Sequence, residues 1–164
     1  MAIRLSKTFL VASVAFFALL VASNNIFDYS SNFEFVRHVL MMDTTFPGNA
    51  LMWRAINAPW VHHIGYWMII VTEFLTAGLC ALGAIAMFSS RQADDAVFQA
   101  SKSLATLGLV TGIALWFVGF ICVGGEWFLM WQSESWNGQQ AAFRSVVILF
   151  AVLIFLHQPE TREA

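Results

Sequence analysis

One carboxylate and one guanidinium stand where an apolar chain can least accommodate them. Glu73 interrupts the apolar run from Ile64 to Phe88. Counting inward from Gly65 at the helical rise of ~1.5 Å per residue places it roughly 12 to 15 Å deep, near the centre of a bilayer. A carboxylate facing lipid at that depth is costly, so Glu73 is expected to face other helices or a wet cavity and to be either protonated or paired. Tyr66 lies two turns away on the same helical face, and Ala77, Ala81 and Ala84 continue that face as a small-residue stripe. Arg144 sits near the start of the last apolar run, roughly 10 Å deep by the same count, with a side chain long enough to span the remaining offset. A buried Glu73–Arg144 pair would satisfy both charges. It would either pin two helices together or line an ion, proton or solute path. A third outcome is that Arg144 snorkels to the headgroups.

A second set of polar residues follows the first apolar run: Asn24, Asn25, Asp28, Tyr29, Asn32, Arg37, His38, Asp43 and Arg54. Polar groups at a membrane surface need partners, so this set reads as a hydrogen-bonded headpiece, with a ligand pocket as its alternative. Arg37 and Arg54 can pair with Asp28, Glu34 or Asp43. Asp28, His38, Asp43, His62 and His63 also carry metal-donor atoms, but adjacent His62 and His63 point about 100° apart on a helix, and no closed zinc spacing is present. Histidines paired across two spans, as a membrane haem would use, are missing. Cys80 and Cys122 differ in depth by on the order of 15 to 20 Å, too far for a disulfide. No metal and no cofactor is therefore expected, and no nucleophile or phosphate-loop motif is found.

The elements that position these groups follow from composition. The chain has 164 residues, of which 59% are hydrophobic and only 11% charged, with a mean hydropathy of +0.71. Four apolar stretches satisfy the length needed to cross a bilayer, at about residues 8–27, 64–88, 104–130 and 138–157. Thr8 to Ser23 follows Arg4 and Lys7, and Val21-Ala22-Ser23 has the small residues of a signal-peptidase site, so a retained first helix and a cleaved leader both remain open. The net charge of −2 with eight scattered basic residues provides no phosphate-neutralising stripe, which sets nucleic acid aside.

Arg4, Lys7, Arg91, Lys102 and Arg162 fall on one side, against Arg37, Arg54 and Arg144 on or near the other. By the positive-inside rule both termini and the Ser89–Ser103 loop are cytoplasmic. Trp53, Trp60, Trp67, Trp127, Trp131 and Trp136 cluster at the opposite boundary as an interfacial belt, and Trp116 alone lies within a span. Ser31-Asn32-Phe33-Glu34 has a capping-box pattern that predicts a helix start. Phe35, Val36, Val39 and Leu40 then recur at helical spacing, as in a helix lying in the interface. Asp43 to Gly48 has the turn chemistry to stop it, and Asn49 to Asn57 can form another short helical stretch. Pro59 suits the first turn of the second span. Asp94-Asp95 suits the approach to the third, and the tail beyond His157 reads as a solvated end. Gly108 and Gly112 form a GxxxG element, extended by Ala105 and Gly119, that calls for close helix packing within the chain or with a second protein.

Asn24-Asn25-Ile26-Phe27-Asp28-Tyr29, Asn32-Phe33, Phe35-Val36, His38-Val39-Leu40, Met42 to Phe46, Trp53-Arg54-Ala55-Ile56 and Glu73 together resemble a bacterial family of predicted small integral membrane proteins, known only as a domain of unknown function. The likeness extends over essentially the whole chain. It implies a four-helix inner-membrane protein and supplies no activity.

The sequence thus predicts an all-α, four-helix transmembrane bundle forming a single membrane domain, with a helical periplasmic headpiece over residues 24–61. The leading functional expectation is a nonenzymatic accessory subunit or binding module in the inner membrane, docking a membrane or periplasmic partner through its outer face. A homo-oligomer is an alternative assembly, and the rival function is a small transporter or channel using Glu73 and Arg144.

Overall fold

The computed structural model describes residues 1–160, so Arg162 lies outside the described residues. Helix α1 (Ala2–Phe27) runs almost directly into α2 (Tyr29–Met41), with Asp28 alone between them. Then come α3 (Pro59–Ser89), α4 (Asp95–Ser101), α5 (Ser103–Ile113), a π-wound segment (Ala114–Trp127) and α6 (Gln139–His157). No strand occurs among the described residues. Four helical stretches are long and apolar enough to cross a membrane: α1, α3, the continuous Asp95–Trp127 rod and α6. Each extends or refines a span read from the sequence, and Pro59 occupies the first turn of α3, where its missing N–H is harmless.

Helix α3 packs between α1 and α5, while α6 lies against α5, the π segment and α1. The shared core includes Val11, Val14, Met87, Phe98, Leu109, Trp116 and Leu149. The α3–α5 contact is close enough that a Cβ at Gly83 would meet the backbone of Ala105, and one at Gly108 would lie 2.6 Å from Cys80 Sγ. Gly112 is held similarly, 2.5 Å from Leu149 Cδ2 on α6 for an added Cβ. The GxxxG element is thus occupied by intramolecular packing, with Gly83 as its unanticipated counterpart on α3. Gly119 does not extend the seam: a Cβ there would meet only Leu115, of its own helix, at 3.7 Å.

Two local expectations are corrected. Helix α2 starts at Tyr29 rather than Ser31, and no side chain caps it. The chain turns at Asp28, whose carbonyl already accepts from Asn32 N at 3.3 Å, so Ser31 is inside the helix and the Ser31/Glu34 box does not form. The third span, expected as ordinary helix, winds as a π-helix from Ala114 and ends with Phe128 N bonded to Val123 O, an i→i+5 bond of 3.0 Å. Such winding is rare beyond a single turn.

The chain from Met42 to Ala58 folds back over the end of the bundle, its only helical piece being the 3₁₀ turn Met52–Arg54. Helix α2 stops at Met42, which adopts a left-handed conformation (φ 53°), as does Leu129 (φ 55°). Neither is glycine, so each conformation costs roughly 1–2 kcal/mol. Both side chains are buried in one small apolar cluster with Val39, Phe128 and Met130, and that packing offsets the strain. This layer caps one end of the bundle; Met1 and Glu160 lie toward the other.

Candidate functional site

The capped end holds the hydrogen-bonded group Glu73, Asn25 and Tyr66. Because α1 breaks at Asp28, the carbonyls of its last turn lack helical partners. Asn24 O receives Asp28 N at 2.9 Å, and Asn25 O receives the Tyr66 hydroxyl at 2.8 Å. That bond fixes the end of α1 against α3. The Asn25 side-chain amide then donates to both oxygens of Glu73, at 3.0 and 2.8 Å. Glu73 is only 1% exposed, and this neutral amide is its hydrogen-bonding partner among the described residues.

Arg144 is not its partner. The Arg144 side chain is exposed and enters none of the ion pairs among the described residues. Helix α6 presents Ala141, Ala142 and Ser145 toward the Glu73 side. Arg144, one position before Ser145, falls about 100° round the helix. Depth alone suggested the pairing; the rotation of α6 forbids it.

Two adjoining cavities lie beneath α2. The first, about 350 Å³, is bounded by Glu73, Asn25, Tyr66 and Asn32 together with Phe17, Val21, Trp116, Ala142 and Ser145. The second, about 300 Å³, is walled by apolar groups of α2, α3 and the π segment, including Leu40, Met68, Leu115, Gly119, Val123 and Met130, with Thr72 the polar exception. Phe35, Val36, Ile69 and Phe120 border both. Such volumes fall at the lower end of the range for small-molecule sites. The π segment separates its contributions: Trp116 faces the first cavity, Leu115 and Gly119 the second, and Phe120 stands between.

The rest of the expected polar cluster divides into separate contacts. Tyr29 Oη lies 2.8 Å from His63 Nδ1, Phe33 stacks on the His63 ring at 4.2 Å, and Tyr29 meets Tyr66 edge-on at 4.8 Å. Burial pushes the Tyr29 phenol above its ordinary value. Asn32 donates to Asp28 O at 3.1 Å, whereas Asn24 is exposed. His38 sits 2.8 Å from Asp43 and stacks on Trp136 at 4.6 Å, and Arg37 pairs with Glu34 at 3.2 Å. Among the described residues Arg54 pairs with no acid. It lies over Trp127 and Trp53, 4.4 and 5.3 Å from the ring centroids, and donates to Trp127 O at 3.3 Å. His62 turns inward to Ile56 O at 2.7 Å, away from His63. Among the described residues no three metal-binding side chains converge.

Trp53 and Trp60 are 70% and 67% exposed, and Trp67, Trp127 and Trp131 are also open, consistent with a belt at the capped end. Trp116 is buried against the first cavity.

Sequence reasoning missed a charged group at the opposite end. Lys7 and Lys102 both donate to Glu160 Oε1, at 2.6 and 2.7 Å, and Gln99 donates to Oε2 at 2.6 Å. The three ionic side chains are nearly inaccessible, 0%, 2% and 7% exposed respectively. Arg4 adds bonds to Ala93 O at 2.6 Å and Asp95 at 2.5 Å, so Asp95 binds α1 rather than capping its own helix. The described part of the tail, expected to be solvated, instead fastens α1, α4 and α5 through Glu160. The excess of basic residues at this end was the available signal; their convergence on one glutamate was not.

No curated protein and no solved structure matches the chain. A family model described as "Predicted small integral membrane protein (DUF2165)" matches residues 3–159, and with four membrane-length helices beside that match, the chain belongs to this family of small, multi-pass integral membrane proteins.

Proposed function

We propose that the protein is a nonenzymatic binding module of the bacterial inner membrane, with both termini cytoplasmic and the α2 layer outside. The observation that carries this reading is the pair of adjoining cavities beneath α2, one apolar and one walled by Glu73, Asn25 and Tyr66. Apolar walls with a few convergent polar groups constitute binding chemistry. The segment that follows α2, the roof of both cavities, bears exposed Trp53, Phe46 and Met52, so a membrane or periplasmic partner docking on the outer face would meet residues that adjoin that roof. A transport role would rest on Glu73 without Arg144, which faces away from it.

The test is gentle purification from the native membrane followed by mass spectrometry of retained lipids and proteins. The expected result is a small amphipathic molecule retained at about one per chain, lost in Gly119→Leu. Gly119 lines the apolar cavity, and its added Cβ would meet no atom closer than 3.7 Å, so the larger side chain fills space without striking backbone. Identical retained molecules in both proteins would overturn the reading.

A further inference from the structure

From the chemistry of the two cavities, and resting on the binding reading above, we infer that the ligand is a single-chain amphiphile with a protonated amine head. Glu73 and Asn25 hold the head; the apolar cavity under α2 takes the chain.

The head is assigned by what faces Glu73. A carboxylate offers about four acceptor positions, and the Asn25 amide fills at most two, since it has two hydrogens shared between Oε1 and Oε2. Among the described residues that line this cavity there is no lysine, arginine or histidine. The hydroxyl and amide side chains facing it besides Asn25 each already donate elsewhere: the Tyr66 hydroxyl to Asn25 O, the Asn32 amide to Asp28 O and the Ser145 hydroxyl to Ala141 O. A primary ammonium brings three donors and the opposite charge, which supplies what the buried carboxylate lacks. An anionic head would instead confront Glu73 with a like charge.

The chain is assigned by continuity. Phe35, Val36, Ile69 and Phe120 border both cavities, so a molecule anchored at Glu73 reaches the apolar cavity by passing these side chains. Thr72, that cavity's polar exception, already donates its hydroxyl to Met68 O at 2.7 Å. The second cavity therefore offers a chain apolar contact and little else. A compact hydrophilic amine would leave it unfilled, and a plain hydrocarbon would leave Glu73 unmatched.

The experiment reconstitutes the full chain in nanodiscs of zwitterionic phosphatidylcholine and counts adducts by native mass spectrometry with two probes of equal chain length, dodecylamine and dodecanol. The wild type is expected to retain the amine about tenfold more than the alcohol, as a charge-assisted bond to a buried carboxylate requires. Glu73→Gln should lower amine retention to the alcohol's level, and Gly119→Leu should abolish both adducts. Equal retention of amine and alcohol by the wild type, a comparison needing no variant, overturns the amine assignment while leaving the cavity as a binding site. Unchanged amine preference in Glu73→Gln does the same. Absence of both adducts from the wild type, or retention undiminished in Gly119→Leu, overturns the cavity reading and the amine assignment with it.

Discussion

Glu73 and Glu160 are both buried carboxylates, and their surroundings could hardly differ more. Glu160, at the end opposite the α2 layer, receives two ammonium groups and an amide. Glu73, at the capped end, receives one neutral amide and borders a cavity. Burying a charge is tolerable when opposite charge and hydrogen bonds replace water. Glu160 meets that condition from within the chain, so its chemistry is used up in holding α1, α4 and α5 together. Glu73 does not meet it. The difference separates a fastening from a site: exhausted valences mark structure, whereas unfilled ones beside open volume mark binding.

The largest effect should come from breaking the fastening. Glu160→Gln leaves Lys7 and Lys102 buried without a counter-charge, and removal of one member of a buried ion pair costs about 3 kcal/mol or more. A marked fall in the thermal midpoint of the detergent-solubilised protein is expected, with the helices near the termini loosening first in hydrogen exchange. A midpoint equal to that of the wild type would show that the cluster contributes nothing and would dissolve the contrast with Glu73. Gly83→Val is expected to cost somewhat less, about 1–3 kcal/mol, because an added side chain must push α3 from the Ala105 backbone. The same measurement checks it.

The bundle was legible because span length and apolar composition are bulk properties of a segment. Ile64 to Phe88 is apolar whatever its neighbours do, and Gly108 and Gly112 announced a close approach. The site was legible only in part. Glu73 and Tyr66 are on one helical face, which periodicity reveals, and Asn25 was singled out among the polar residues near the end of α1. Their union depends on where α1 breaks, and the apparent capping box at Ser31 placed the helix start beyond the true turn at Asp28. The π winding after Ile113 was hidden because the hydrogen-bond period of a uniformly apolar segment leaves no polar pattern to read. Arg144 was misassigned because depth along a helix can be counted, whereas rotation about its axis is set by packing against other helices. Glu160 was misjudged because its place beyond the last apolar run suggested solvation, and the two lysines that bury it lie far away in sequence.

The comparison sharpens with pH. Burial alone would raise the Glu160 carboxyl; hydrogen bonds from Lys102 and Lys7, together with their charges, outweigh it and hold the group below the ordinary 4.5. A carboxyl depressed in the folded state binds fewer protons there than when unfolded. Its stabilisation is therefore complete above about pH 4.5 and is lost as pH falls through the lower folded value. Thermal midpoints should decline along this acid limb in the wild type, and Glu160→Gln, which cannot titrate, should flatten it. A limb of equal depth in both proteins would place the acid sensitivity elsewhere.

The smallest effect belongs to Arg144→Gln. Were Arg144 the buried partner of Glu73, its loss would leave a carboxylate unmatched and would cost as much as breaking the Glu160 cluster. With the side chain exposed and α6 turning Ser145 toward the cavity, the change is instead expected to shift stability within about 0.5 kcal/mol. Dodecylamine retention should also be unchanged, while Glu73→Gln, made in parallel, removes the amine preference. Equal loss of the preference in both variants would return Arg144 to the site, requiring α6 to rotate so that Arg144 replaces Ser145 at the cavity wall. A neutral outcome for Arg144 beside a decisive one for Glu73 would leave the carboxylate without a cation from the described residues, the condition under which a cationic ligand has a place to bind.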